Sequence, residues 1–509
     1  MPSSTSPDRK IARLLDRLEA AKRAFGAAQE ADIARLIGAL GRRRFRDAGA
    51  LIRFHEALLF FRAYPPNAEI LGLADGLLAS FARRITGDLT AFEEPDVSGI
   101  AGTVFSAIFT YDITRWLAAR LGSSVEIDWD GCDATLLGPL LARLHPLYAE
   151  DALVEANIPY MDWFRAAKPQ GRGSDLRWLI AQMERMPLTP QQRSEMFAGA
   201  KIAIRWDLGD ALTTRTRLRL PGARRFFYHR QPLIRRSEVS LANELASPPI
   251  PIEKMTHARG ERMLDLARET SAMRYRELHG FTYGDPARVF RADLGRGIEV
   301  YVWGVPAAHR LPLRAYHCAM FFKNGVPLGY IECLTLCEHI EVGFNLYYTF
   351  REGETAWLYA RLLHLFRQLL GVSCFAVDPY QLGNHNDEAI ESGAFWFYRK
   401  LGFRPTDAQV AKLLDAEERK LRANPAYRTP ASTLRRLSAG WMVYEMPGTS
   451  QGDWDNFEVR RVAMALRELP FPPRIARAKR GPDEAAYIRL LQQDARVRRK
   501  LIQLGSKSG

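Results

Sequence analysis

Glu332 and Glu341 lie nine residues apart in a stretch rich in β-branched and aromatic residues. A carboxylate in such a stretch can act as a general base. On one undistorted strand an odd separation puts the two on opposite faces, and a bulge would change that parity. Between them, Cys333 and Cys337 stand four apart, which predicts two thiols on one strand face. With no second cysteine pair and no histidines at ligand spacing, they read as core rather than as a zinc site. His339 and His385 are single histidines, which usually serve as hydrogen-bonded side chains. Arg53-Phe54-His55-Glu56 lies in a helical pattern without a catalytic spacing, and no Walker loop, G-x-S-x-G elbow or H-E-x-x-H pair occurs.

The cations are concentrated. Residues 201–240 hold ten Lys/Arg against three Asp/Glu, and residues 451–509 hold thirteen against seven. These two segments therefore carry nearly all of the net charge of +14. Arg215, Arg217 and Arg219 alternate with Thr216, Leu218 and Leu220, which predicts a strand with one basic face. Arg224, Arg225, Arg230, Arg235 and Arg236 follow, with Phe226, Phe227, Tyr228 and His229 among them. Arginines beside aromatic rings can neutralise phosphates and stack on bases, so Arg215–Arg236 would suit RNA or another polyanion. The plainer expectation is that the rings are core and the arginines pair with carboxylates of a neighbouring domain.

The elements that must position these residues are those of a globular chain. Of 509 residues, 47% are hydrophobic and 26% charged, which excludes a disordered or fibrous description of the whole. Five cysteines are too few and too scattered for a disulfide framework. The N-terminus has no apolar signal core, and no run approaches the roughly 18 apolar residues of a membrane span. The expectation is a cytoplasmic protein without a membrane span.

Residues 8–62 carry helical spacing, and it returns across 70–85 and 133–200; Gly99–Leu121 also reads as an apolar helix. Ser247-Pro248-Pro249-Ile250-Pro251 punctuates the chain and predicts a boundary near 247. The domains expected are thus a mainly helical 1–246, a mixed 247–450, and a basic, partly helical tail 451–509. Beyond 250 the order is helix, strand, hairpin, long strand, helix, strand, helix, strand. Lys323-Asn324-Gly325 supplies a hairpin turn. Ile340–Thr349 reads as the long strand, Ala356–Leu370 as a helix, Val372–Val377 as a short strand, and Asn386–Leu401 as a helix stopped by Gly402.

That order, with Ala394-Phe395-Trp396-Phe397-Tyr398-Arg399-Lys400-Leu401-Gly402-Phe403-Arg404-Pro405, resembles the GNAT superfamily of acyl-CoA-dependent N-acyltransferases. The run is similar to the family's A-x-x-x-Y-x-K-L-G-F signature. The resemblance covers residues 250–447. It implies an α+β fold with a GNAT-like mixed twisted sheet flanked by helices, here preceded by the mainly helical N-terminal domain. It also implies an enzyme that moves an acyl group, most simply acetyl, from coenzyme A to a small-molecule or peptide amine, with no metal.

In the family the pantetheine arm lies between two splayed strands, and the pyrophosphate sits on N–H groups at the next helix start. Those first N–H groups lack intrahelical partners and lie at the positive end of the helix dipole. The resemblance places cofactor contacts at Tyr348, Thr349, Arg351, Gly353, Thr355 and Ala356. The family loop R/Q-x-x-G-x-G/A is matched at Arg351 and Ala356, whereas the central glycine is displaced to Gly353 and Glu354 occupies its position. Tyr398 is similar to the family's general acid. Of the two glutamates, Glu341 is the base expected, because it lies nearer the splay. The segment Gln381–Ser392 reads as an insertion that could reshape the acceptor pocket. Two other readings remain: a Fem-like transferase with an aminoacyl-tRNA donor, which would use the basic runs, and a non-catalytic binding module that kept the fold.

Overall fold

The structure, a computed structural model, describes residues 7–87, 89–144, 158–169, 173–220, 226–449, 452–464, 472–478 and 483–506. It is a mixed α+β chain. A small antiparallel sheet joins β1 (Val104–Ile108), β2 (Val125–Ile127) and β3 (Ala203–Asp207) in the order β1-β3-β2. The large sheet has nine strands: β4 (Ile252–Lys254), β5 (Val289–Gly295), β6 (Ile298–Gly304), β7 (Ala315–Lys323), β8 (Val326–Leu336), β9 (His339–Leu346), β10 (Cys374–Val377), β11 (Arg404–Pro405) and β12 (Met442–Glu445). Their order is β11-β12-β10-β9-β8-β7-β6-β5-β4. Every pairing is antiparallel except that of β9 with β10.

Local chemistry explains the centre of this sheet. β7 is buried along its whole length, as a strand covered on both faces must be, and it is correspondingly apolar. Asn324 and Gly325 both take positive φ, 50° and 79°, which is the turn a two-residue hairpin needs to follow the strand twist. The helix Thr355–Leu370 follows β9 and ends at Gly371, whose left-handed conformation caps it without a Cβ penalty.

Buried apolar residues form two clusters. One is local to the small sheet and its helices, with Phe105, Leu117, Leu179 and Trp206 at its centre. The other joins the N-terminal helices (Leu18, Phe54, Phe61), the large sheet (Phe321, Ile340) and the tail helices (Tyr487, Leu501). Residues on both sides of position 247 therefore share one core.

Several expected elements differ. Residues 99–121 are not one helix, because Val104–Ile108 pairs with β3 before the helix Tyr111–Leu121 begins. Residues 212–220 form turns rather than a strand, so their arginines share no face. The long strand ends at Leu346, and Tyr348–Phe350 is a short 3-10 turn. The helix expected over 386–401 is two, Asp387–Ser392 and Ala394–Arg399, broken at Gly393 with φ 69°. The tail carries two helices, Glu484–Gln493 and Ala495–Gly505, separated at Asp494. No helix among the described residues is long and apolar enough to cross a membrane.

Candidate functional site: a cleft where two parallel strands part

β9 and β10 pair only through His339–Glu341 opposite Cys374–Ala376. β10 then stops, because Pro379 has no N–H to continue a ladder and Asp378 turns to cap the next helix, accepting from the Gln381 N–H at 3.0 Å. β9 runs on to Leu346, so its edge from Val342 onward has no strand partner on that side. A cleft of about 420 Å³ opens there. Phe344, Asn345 and Leu346 form one wall, Phe397 and Tyr398 another, and Arg351, Gly353, Thr355 and Ala356 close one end.

The loop at that end carries two acids, Glu352 and Glu354, which would repel an anion if they faced the cleft. Glu354 is 2% exposed and turned into the protein, where it pairs with Arg296, lies 3.5 Å from the Lys323 ammonium and accepts from the Ile234 N–H at 3.1 Å. Glu352 pairs with Arg23 at 3.1 Å and Lys22 at 3.5 Å. Both carboxylates are thus neutralised away from the cleft. The N–H groups of Thr355, Ala356 and Trp357 open the helix and have no intrahelical acceptor by position. Gly353 is required for packing: a Cβ there would stand 2.5 Å from the Tyr64 hydroxyl. The Arg351 guanidinium pairs with Glu388 on the insertion.

Tyr398 is 3% exposed, stacked edgewise on Tyr359 and Phe403, and lines the cleft. Burial, aided by the negative charge of Asp378, raises its hydroxyl well above the ordinary phenol range. It therefore keeps its proton at neutral pH.

Glu341 is outside the cleft lining. Strand register corrects the parity expected from a nine-residue separation: Glu332 lies on β8 opposite Gly343, and Glu341 lies on β9 opposite Leu334. The turn at Cys337 and Glu338 makes these two strands of a hairpin, and both carboxylates fall on one face. Glu341 accepts from the Val459 N–H at 2.7 Å under the tail, and burial raises it to about 7. Glu332 accepts from the Tyr316 hydroxyl at 2.5 Å and is also raised by burial. Cys337 sits in the turn rather than on the strand with Cys333, and both are buried free thiols. Among the described residues no group of three or more His, Cys, Asp or Glu could hold a metal ion.

Thr349 does not reach the cleft. Its hydroxyl hydrogen-bonds Glu56 and accepts from Arg215 at 3.1 Å in a buried network that also holds His55. Tyr348 instead borders a small inner chamber behind the cleft, with Arg215 over its ring. Four arginines of the basic run are committed in the same way, while Arg230 and Arg235 are exposed. Arg215 pairs with Glu56 at 2.6 Å, Arg217 with Asp210 at 2.5 Å, and Arg219 with Asp75 at 2.8 Å, while Arg236 donates to the Lys400 carbonyl at 2.6 Å. Phe227 lies under Arg296 and Lys323. Arg224 and Arg225 lie outside the described residues. The shared basic face expected for a polyanion is absent from the described part of this run.

The cleft also brings in residues that no motif announced. Arg276, Asn345 and Ser392 line it with Asn386 of the insertion. Arg276 follows a helix end and carries no spacing signal; only the fold brings it to β9. No family model, curated protein or solved structure matches this chain.

Proposed function

We propose that the chain is an acyl-CoA-dependent N-acyltransferase, with acetyl-CoA as donor and an amine as acceptor. The observation that carries this reading is the parting of β9 from β10 beside a helix start whose acidic neighbours face away. Thr355, Ala356 and Trp357 would hold the pyrophosphate through their N–H groups, with Arg351 exchanging Glu388 for phosphate. The unpaired edge of Val342–Leu346 offers backbone groups to an extended amide-bearing arm, as a sheet edge offers them to an added strand. The bound donor supplies the activated acyl thioester.

The chain's own groups supply the proton traffic. Tyr398, protonated at neutral pH, delivers its hydroxyl proton to the departing thiolate. Glu341, titrating near 7 on the opposite face of the splay, takes the proton of the amine through water. Asp378 couples the two, since its charge raises both. The paired state of Arg215, Arg217 and Arg219 argues against an RNA-borne donor.

Calorimetric titration with acetyl-CoA tests the reading. Saturable binding at one site, with a Kd between roughly 1 μM and 1 mM, is expected. Absence of binding removes the reading; binding without thiol release in the presence of amines would leave a binding module.

A further inference from the structure

The inner chamber behind the cleft is bordered by a cation that has no ion-pair partner among the described residues. Arg274 is 6% exposed and borders the chamber, which has room of about 20 Å³ and shares Arg276, Asn345, Leu346 and Arg351 with the cleft. Its guanidinium lies 4.0 Å from the centroid of the Tyr347 ring. No described residue hydrogen-bonds it or forms an ion pair with it, and its Nε is buried without an acceptor. The neighbouring cations are each accounted for. Arg215 is held by Glu56 at 2.6 Å and Arg351 by Glu388, while Arg276 has the Tyr330 hydroxyl and the Asp96 carboxylate as electrostatic neighbours. Arg274 is left without a carboxylate of its own among the described residues, since Glu56, whose charge reaches it, is held by Arg215. Burying an unpaired charge is costly, and burial accordingly lowers the Arg274 pKa to about 10. A fold that keeps such a group beside an open cleft has a place for an anion.

We infer that Arg274, supported by Arg276, binds the carboxylate of the acceptor, so that the acceptor is an amino acid or a peptide end rather than a simple amine. The assignment rests on the acyltransferase reading for the identity of the acceptor, but not for the anion site. The chamber is small and shares Arg276, Asn345, Leu346 and Arg351 with the cleft, so the planar tip of a carboxylate reaching in from the cleft suits it better than a tetrahedral phosphate. A guanidinium presents two parallel N–H groups to such a planar acceptor. A single cation without a carboxylate of its own also matches a monoanion. The site lies at the Asn345 end of β9, on the face that carries Glu332 and Glu341, so a carboxylate held there leaves its amine directed along that face towards the splay.

The test uses the full chain and acetate as probe, at constant ionic strength with chloride as the control. Acetate is expected to raise the melting temperature in a saturable way, and inorganic phosphate to do so less. Arg274→Met is expected to melt higher than the unsubstituted protein without any anion, because it removes an unpaired buried charge, and to lose at least tenfold in apparent acetate affinity. Arg274→Lys is expected to keep a weaker response. A wild-type protein that ignores acetate, an Arg274→Met variant that responds equally, or one that melts lower would overturn the site. A stronger response to phosphate would overturn the carboxylate assignment. If acetate protects through Arg274 while acetyl-CoA does not bind, the transferase reading fails and the anion site stands; the reverse result removes the site alone.

Discussion

Two clusters of charged and polar groups border the end of β9, and they are built in opposite ways. In the Glu56 network, Glu56, Arg215, His55, Thr216 and Thr349 hydrogen-bond one another across three distant segments, with the Arg215 Nε left without an acceptor. In the cleft, a few residues along the chain, the helix N–H groups at Thr355–Trp357, the β9 edge and the Tyr398 hydroxyl have no hydrogen-bond partner among the described residues. Satisfied groups of the first kind hold segments together, and removing one strands its buried partner. Unsatisfied groups of the second kind are available to a ligand. The comparison therefore predicts a separation of effects: substitutions in the cleft should cost activity with little stability, and substitutions in the network the reverse.

The largest effect expected is at Tyr398. Tyr398→Phe should lower turnover by roughly 10²–10⁴ with acyl-CoA affinity nearly unchanged, read by thiol release and calorimetry. Unchanged turnover in an active preparation would place Tyr398 among ordinary packing residues and erase the distinction. On the other side, Glu56→Gln should cost about 3–5 kcal/mol in urea unfolding, because the Arg215 guanidinium stays buried without its counter-charge. A variant as stable as the parent would show that the network is not structural.

Gly353→Val crosses between the two regions. Its side chain would meet the Tyr64 hydroxyl and the Phe350 carbonyl, so it should cost about 1–3 kcal/mol in stability and also weaken acyl-CoA binding. Full binding affinity in the variant would move the pyrophosphate cradle elsewhere. The smallest effect is a pH dependence. Glu341 is raised from 4.5 to about 7 in the folded chain, so the folded state binds its proton more tightly than the unfolded one. Its contribution is complete below about pH 4.5 and is lost as the pH rises through 7, a difference of about 1–3 kcal/mol. Glu341→Gln should flatten that slope in unfolding measured from pH 5 to pH 8. An identical slope would mean that the carboxylate titrates as if exposed.

What could be read from the chain alone follows from the range of the interactions concerned. The Asn324-Gly325 hairpin and the helix ending at Gly371 were legible because each depends on neighbouring residues in the sequence. So was the run Ala394–Pro405, whose Tyr398 reaches the cleft with Arg351, Gly353, Thr355 and Ala356. The alternation at Thr214–Leu220 misled, since Arg215, Arg217 and Arg219 follow their separate carboxylates rather than a strand pleat. Parity between Glu332 and Glu341 failed because a turn, invisible to periodicity, lies between them. Asp378 and Glu341 meet only through the register of β9 with β10. Arg274 had no signal at all: what distinguishes it is the absence of an ion-pair partner among the described residues, and such an absence depends on every segment that could have supplied one.

The hairpin tip at Asn324 has a consequence for how the chain is made. Its side chain donates to the Ala63 carbonyl at 2.8 Å, 261 positions earlier in the sequence, and Lys323 beside it lies over the Tyr64 ring. On a ribosome adding roughly 5–20 residues per second, the helix Ala48–Ala63 emerges roughly 13–52 s before the tip that completes its surroundings. During that interval the surroundings of this helix are incomplete, and Phe60 and Phe61, buried in the finished protein, would be open to association with other chains. Residues 1–246 and 247–509 produced separately would perpetuate that interval; recovery of both in soluble form only on co-expression would reveal it, and soluble recovery of each alone would refute it.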